Sequence, residues 1–371
     1  MTTADGSTSS TESTAASTTA AGRSARTPIR TAVLGFGVSG RIFHAPFLAA
    51  DPRFEVSVVA TSNTDRAAQA RQEYPEARIV GTPEEALGLV GDAVDLVVIG
   101  TPPATHFDLA AQAIEAGVHV VVDKPFVTRS AQGEELVRRA AAAGVSLTVF
   151  QNRRWDADLL TLKRLLDAGS LGEPLVFESR FEWWKPGGMR DWKARTDIAD
   201  GGGILYDLGP HLIDQALHLF GPVESVHGEV ARRLPTADAD ADDDAVVLLR
   251  HASGVSTRLS MNSISAAPGP RFHVLGRRGT YTKHGLDQQE PQLLAGLRPG
   301  DDGLGREPEA NWGVLTVPDD AAATGPVEPE RGAYAEFYRI LGDHLTTGGP
   351  VPVDPRDAIE ALQIIESIHG L

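Results

Sequence analysis

An N-terminal doubly wound α/β domain, followed by a C-terminal α+β domain on a large, mainly antiparallel open sheet, is the architecture this 371-residue chain predicts. Three observations carry it. Short β-branched runs alternate with helical patterns from Ile29 to Phe150, the signature of buried parallel strands. A glycine-rich turn follows the first of those runs directly. After Phe150 the rhythm changes to longer runs that alternate apolar and polar residues, which implies antiparallel strands. The length suits two domains rather than one core.

Residues 1–27 are Ser, Thr, Ala or Gly at 22 positions, too little side chain to offset the entropy of ordering, so a disordered tail is expected. In the domain of residues 28–150, strands are expected at Ile29 to Leu34, Phe54 to Ala60, Asp95 to Ile99, Val118 to Val122 and Val145 to Phe150, with a short one at Ile79-Val80. Helices are expected at Val38 to Ala50, Asp65 to Glu73, Pro83 to Leu89, Thr105 to Ala116 and Ser130 to Ala143. The domain of residues 151–371 opens with a helix, Asp158 to Ala168, and continues with strands at Leu175 to Trp183, Ala245 to Arg250 and Val255 to Asn262. Asp238 to Asp244 reads as a solvated hairpin loop and Leu286 to Pro329 as long loops. Two amphipathic helices close the chain, Tyr334 to Leu345 and Pro355 to His369, the second with Asp354 as N-cap and Pro355 at its first position.

Composition narrows the function. Hydrophobic residues at 42% and charged residues at 23% describe an ordinary globular protein. A formal charge of −16 argues against nucleic-acid and anionic-membrane partners, since counterion release needs clustered Lys and Arg. The lack of cysteine excludes disulfides, thiol nucleophiles and cysteine-ligated metals, and the Asp-Ala alternation near residue 240 lacks the Gly turn and closing Glu of a calcium loop. No metal is therefore expected. No apolar run approaches a membrane span and no signal-peptide core stands at the start, so the expected setting is cytoplasmic and the expected partner a small molecule.

Gly35-Phe36-Gly37-Val38-Ser39-Gly40 is G-x-G-x-x-G between a strand and a helix, the dinucleotide fingerprint of a Rossmann domain. Gly35 permits the turn, Gly37 lets a pyrophosphate approach the backbone, and Gly40 lets helix pack on strand. In NAD enzymes an acid about 20 residues on grips the ribose 2′-hydroxyl. Here the second strand runs out into Thr61-Ser62-Asn63, with Arg66 beyond, which favours NADP while leaving NAD possible. The same residues also suit a helix cap with a solvated arginine.

Chemistry could come from three places: Asp123-Lys124-Pro125 at a strand end, Asn152 to Trp155 after the sixth main strand, and the run Tyr206 to Asp214. A helix starting near Asp207 puts Asp207 and His211 on one face with Asp214 a turn further. From spacing alone Lys124 also fits a surface lysine, His211 a satisfied core histidine, and Arg153 with Trp155 a cation-π pair as well as a substrate clamp.

GFGVSG, TPPATH from Thr101 to His106, D-K-P in place of the usual E-K-P, and Y-D-L-G-x-H-x-x-D together resemble the Gfo/Idh/MocA family, named for glucose-fructose oxidoreductase, inositol dehydrogenase and rhizopine catabolism proteins. The resemblance spans residues 28 to 371. GFGVSGRIFHAPFL, QNRRWDADLLTLKRLL and LYDLGPHLIDQALHLFG are similar to its NADP-dependent scyllo-inositol dehydrogenase branch. It implies Lys124, Asp207 and His211 as the catalytic set, with His211 taking a hydroxyl proton, Lys124 stabilising the alkoxide and Asp207 orienting His211. It further implies Thr101, Pro102, His106, Asp123 and Lys124 beside the cofactor, His44 near the cofactor cleft, and Arg153, Trp155 and Asp214 toward a polyol or sugar. A homodimer or homotetramer is expected, formed on an apolar sheet face supplied by Phe177, Phe181, Trp183, Val247 and Leu249. Two other classes share the cofactor loop: a non-catalytic dinucleotide sensor, which need not keep Lys124 and His211, and an NAD-dependent glycosidase, which returns its cofactor unchanged.

Overall fold

The computed structural model describes residues 27–185, 196–234 and 241–371, so the tail expected to be disordered lies, but for Thr27, outside the described residues. The first domain is built from β1 (Ile29–Leu34), α1 (Ala45–Ala50), β2 (Phe54–Ala60), α2 (Thr64–Glu73), β3 (Arg78–Val80), α3 (Pro83–Leu87), β4 (Leu96–Ile99), α4 (His106–Glu115), β5 (His119–Asp123), α5 (Ser130–Ala143) and β6 (Leu147–Phe150). Its six strands pair in parallel in the order β3-β2-β1-β4-β5-β6. Two-sided burial explains why these strands read as unbroken apolar runs: all of Leu96 to Ile99 is at 0% exposure. Strand order reverses between β1 and β4, and a crevice at the carboxyl ends of strands is where such sheets bind ligands. One local difference stands at this crevice. The turn after the glycine loop, Ser39–His44, is a π-helix leading into α1, where the residue pattern predicts a single α-helix.

The second domain begins with α6 (Ala157–Asp167) and β7 (Pro174–Glu182), then the long buried α7 (Ile204–Phe220), β8 (Val223–Ala231), β9 (Asp244–His251), β10 (Ser256–Asn262), β11 (Phe272–Gly276) and β12 (Thr280–Lys283). The segment expected to be loop, Leu286 to Pro329, holds α8 (Gln289–Leu294), β13 (Gly313–Thr316) and β14 (Gly325–Val327); strands this short carry too few residues to show a period. The chain closes with α9 (Ala335–Thr347) and α10 (Pro355–His369). The eight strands run β14-β13-β12-β11-β7-β10-β9-β8. The expectation of antiparallel strands fails at one junction, since β7 and β10 are parallel. Helix α7 returns the chain, so the meander β8-β9-β10 begins and ends in the direction of β7.

Two further expectations change. Phe177, Phe181, Val247 and Leu249 are buried, and Trp183 is packed against the same core, because their side of the sheet lies on α7, as in the contact of Phe177 with Phe220 at 5.2 Å. The opposite side holds the exposed Val246 and Leu248. The acid-rich stretch is no solvated loop in its described part either: Asp242 and Asp243 are buried, and Asp243 accepts from the backbone N–H groups of Arg233 (2.7 Å) and Leu234 (2.8 Å). Asp238 lies outside the described residues.

The closing helices bind the domains together. Helix α10, capped by Asp354 accepting from the Arg356 N–H at 2.9 Å, packs against α5 and α7. Glu366 on α10 accepts from both the backbone and the hydroxyl of Ser130. Among the described residues, no helix is long and apolar enough to cross a membrane.

Candidate active site

The glycine loop supplies the first wall. Gly35 has φ +90°, and a Cβ there would stand 2.8 Å from the Gly100 carbonyl oxygen; one on Gly40 would stand 2.1 Å from the Gly35 oxygen. Packing alone therefore demands these two glycines. A Cβ on Gly37 would meet only the Arg66 guanidinium, at 3.7 Å, so the bare backbone of Gly37 faces open space and fits a pyrophosphate. Phe36 is buried edge-on to Tyr74, while Val38 is exposed and Ser39 opens the π-helical turn. Beyond β2, Thr61, Ser62 and Asn63 bring no carboxylate; Asn63 caps α2 by accepting from the Arg66 N–H at 3.0 Å. The cap uses only the backbone N–H of Arg66, whose guanidinium lies on the side of Gly37.

The second wall comes from the ends of β4 and β5. Thr101 and Pro102 follow β4, and the Thr101 hydroxyl lies 2.7 Å from that of Thr105. His106 is buried with its ring nitrogens 2.9 Å from the carbonyl oxygens of Thr101 and Pro125, which ties these two loops together. Asp123 ends β5 and accepts from the Lys124 N–H at 2.7 Å. Burial pushes its pKa up, but contacts with His44 and Ser39 and the charge of Lys124 outweigh this and hold it at about 2.

Across the cleft stands α7. Lys124 donates through Nζ to the carbonyl oxygen of Asp207 at 2.8 Å and to its carboxylate at 3.1 Å. These two residues, 83 apart in sequence, are thus in direct contact. His211 follows one turn along α7, its ring edge-on to Phe181 at 6.4 Å, and the Arg153 guanidinium lies over the same Phe181 ring at 5.0 Å. Arg153 also pairs with Asp156 (3.3 Å) and Glu290 (3.0 Å), which keep it charged despite burial. Trp155 packs on Phe337. Asp214 is buried in a two-pronged pair with Arg154, at 2.8 and 2.6 Å, and Arg154 reaches on to Asp357 at 2.8 Å. Arg154 lies inside the stretch Asn152 to Trp155 singled out in the sequence, whereas its pairing with Asp214 and the buried Asp156 beside Arg153 carry no signal there.

Comparison with known proteins follows the same division. Residues 29–151 match the model of an oxidoreductase family with an NAD-binding Rossmann fold, and residues 159–282 match the Gfo/Idh/MocA C-terminal domain. The NADP(+)-dependent scyllo-inositol 2-dehydrogenase IolW of Bacillus subtilis is 33% identical over 91% of this chain and 92% of its own. The uncharacterised oxidoreductase YdgJ of Escherichia coli is 37% identical over 91% and 94%. The solved structure of the oxidoreductase yvaA of Bacillus subtilis superposes with a TM-score of 0.85 at 33% identity, covering 92% of this chain and 95% of that one.

Proposed function

The chain belongs to the Gfo/Idh/MocA oxidoreductase family, and from that premise we propose that it is a dehydrogenase using NADP in preference to NAD to oxidise or form a secondary hydroxyl of an inositol, sugar or related polyol. The observation that carries the reading is the meeting of Lys124 with Asp207 on the helix that also bears His211. When bound, the dinucleotide supplies hydride transfer, the step no side chain can perform. The protein's part is protons and charge. His211 takes the hydroxyl proton, a contribution of roughly 10² to 10⁴ in rate for general base catalysis. The Lys124 ammonium stabilises the oxygen as negative charge develops on it, and Asp207 keeps that ammonium aimed across the cleft. Arg153 is the substrate-side donor, since it shares the Phe181 ring with His211 and carries a fixed charge.

Preference for NADP draws support from the uncharged Thr61-Ser62-Asn63 and from the Arg66 guanidinium beside Gly37, and from the cofactor named for IolW. A spectrophotometric panel of inositols, sugars and acyclic polyols with both dinucleotides tests the proposal. NADPH should form with a cyclic polyol or sugar, and Ser62→Asp should move preference toward NAD. Tighter binding of NAD than NADP by the natural chain refutes the cofactor assignment. Bound dinucleotide that is never reduced by any substrate refutes the dehydrogenase.

A further inference from the structure

His44 sits where the π-helical turn meets α1, fully buried, with its ring 4.3 Å from that of Phe150. A packing role alone would be satisfied by any ring of that size. Its two nitrogens, however, face polar groups of opposite kinds. Nδ1 lies 2.6 Å from the hydroxyl of Tyr338, which α9 brings in from 294 residues away. Nε2 lies 3.9 Å from the Asp123 carboxylate, an ion-pair separation longer than a hydrogen bond, and has no hydrogen-bond partner. A buried donor left in that condition is unfavourable, and Asp123 is the polar group this nitrogen faces.

We propose that His44 and Tyr338 are positioning residues for the dinucleotide cleft, holding the Asp123 carboxylate at the end of β5. The phenol donates to Nδ1; the hydrogen of the neutral ring then resides on Nε2 and points at Asp123. The carboxylate in turn holds the Lys124 N–H at 2.7 Å, while the ammonium of the same lysine is held by Asp207. One dipeptide is thus approached from two sides: the His44 ring, backed by Tyr338, faces Asp123 at ion-pair distance, and Lys124 is hydrogen-bonded to α7. A partly buried carboxylate gains from such a partner, since the Lys124 ammonium acts on it only through its charge and makes its hydrogen bonds to Asp207. The inference rests on the dehydrogenase reading for the identity of the ligand beside Asp123, and on nothing else in it.

The test uses the full chain with three variants: Tyr338→Phe, which keeps the ring, His44→Phe, and His44→Gln, which returns an amide donor near the place of Nε2. Ring-nitrogen NMR of the ligand-free protein should show His44 with its hydrogen on Nε2, and Tyr338→Phe should lose that preference. Titration with NADPH should weaken about tenfold in His44→Phe and about threefold in Tyr338→Phe, with dinucleotide KM rising more than kcat falls, and His44→Gln should recover most of the affinity. Unchanged NADPH affinity in Tyr338→Phe, or a ring with its hydrogen on Nδ1, overturns the proposal. A natural chain that binds no dinucleotide would sink the dehydrogenase reading, whereas the ring tautomer still decides whether His44 is aimed at Asp123.

Discussion

Lys124 spends its ammonium on Asp207 at 2.8 and 3.1 Å, and that contact separates chemistry from cofactor holding at the level of single residues. In the proposed reading the pyrophosphate lies against the backbone of Gly35 to Gly40, a different segment from Lys124 after β5 and His211 on α7. Replacing either with alanine should therefore cut turnover by at least roughly a hundredfold while NADPH affinity moves little. Stopped-flow turnover and fluorescence titration on the same preparations check this. Near-normal turnover in either variant removes that residue from the proton and charge relay, and loss of dinucleotide binding in both would make them structural. Asp207 and His211 were legible as one helix face from their spacing and Lys124 as a strand-end residue, while their joint role was implied only by the family resemblance. The partner of Asp214 was not legible, since Arg154 meets it across 60 residues and only the packing of the turn after β6 decides which of two adjacent, largely buried arginines reaches it. Tyr338 was illegible for the same reason: its helix is readable from periodicity, but which helical position meets His44 depends on how α9 docks.

The element that carries the candidate site, α7, is held at its start by the segment just before β9 rather than by its own cap. Gly203, at φ +90°, precedes it, and a Cβ there would stand 2.2 Å from the Asp242 carboxylate. That carboxylate accepts from the Leu205 N–H at 2.9 Å, and the Asp242 carbonyl accepts from the Ile204 N–H at 2.8 Å. Burial raises the pKa of Asp242 to about 6, the charge of Asp243 adding to it and the two N–H groups opposing. His369 faces it from α10, Nε2 at 3.7 Å. Between the ordinary 3.8 and about 6 the folded chain thus binds this proton when the unfolded chain has released it, so stability falls as pH rises through that window. Asp242→Asn keeps the acceptor oxygen and cannot titrate. Thermal unfolding from pH 4 to 8 should show the natural chain losing on the order of 2 kcal/mol relative to the variant over that range, and parallel curves would refute the assignment. Among elements, the long ones were legible: β1, β2, α5 and α10 have the bounds their periodicity predicts. The π-helical turn, β13, β14 and the parallel β7·β10 pair were not, because a single turn, three or four residues, or a sheet order reached through a meander leave no local pattern.

At the scale of the whole molecule, the eight-stranded sheet has one side against α7 and another that faces outward. Register places Val314, Thr282, His273, Glu178, Arg258, Leu248 and His227 side by side across that outer face, one from each of seven strands. Its exposed apolar residues include Val246, Leu248 and Val314, at 40%, 43% and 42%, and Arg258 and Arg180 share the Glu178 carboxylate, at 2.9 and 2.7 Å. Charges already paired within one copy cost less to cover than free ones, and exposed apolar residues on both flanks of that charged middle give a covering surface something to bury. We therefore expect a second copy of the chain to cover this face, in a dimer or a tetramer, although the residues that do so are not the phenylalanines the strand pattern suggests. A net charge of −16 opposes association at long range, so moderate salt should strengthen it rather than weaken it. Light scattering at micromolar concentration should find an oligomer, and Leu248→Glu should shift it toward monomer with circular dichroism unchanged, because that side chain faces outward and supports no core. A natural chain that is monomeric at every salt concentration would show that the face is finished as it stands, its paired charges serving solubility instead of contact.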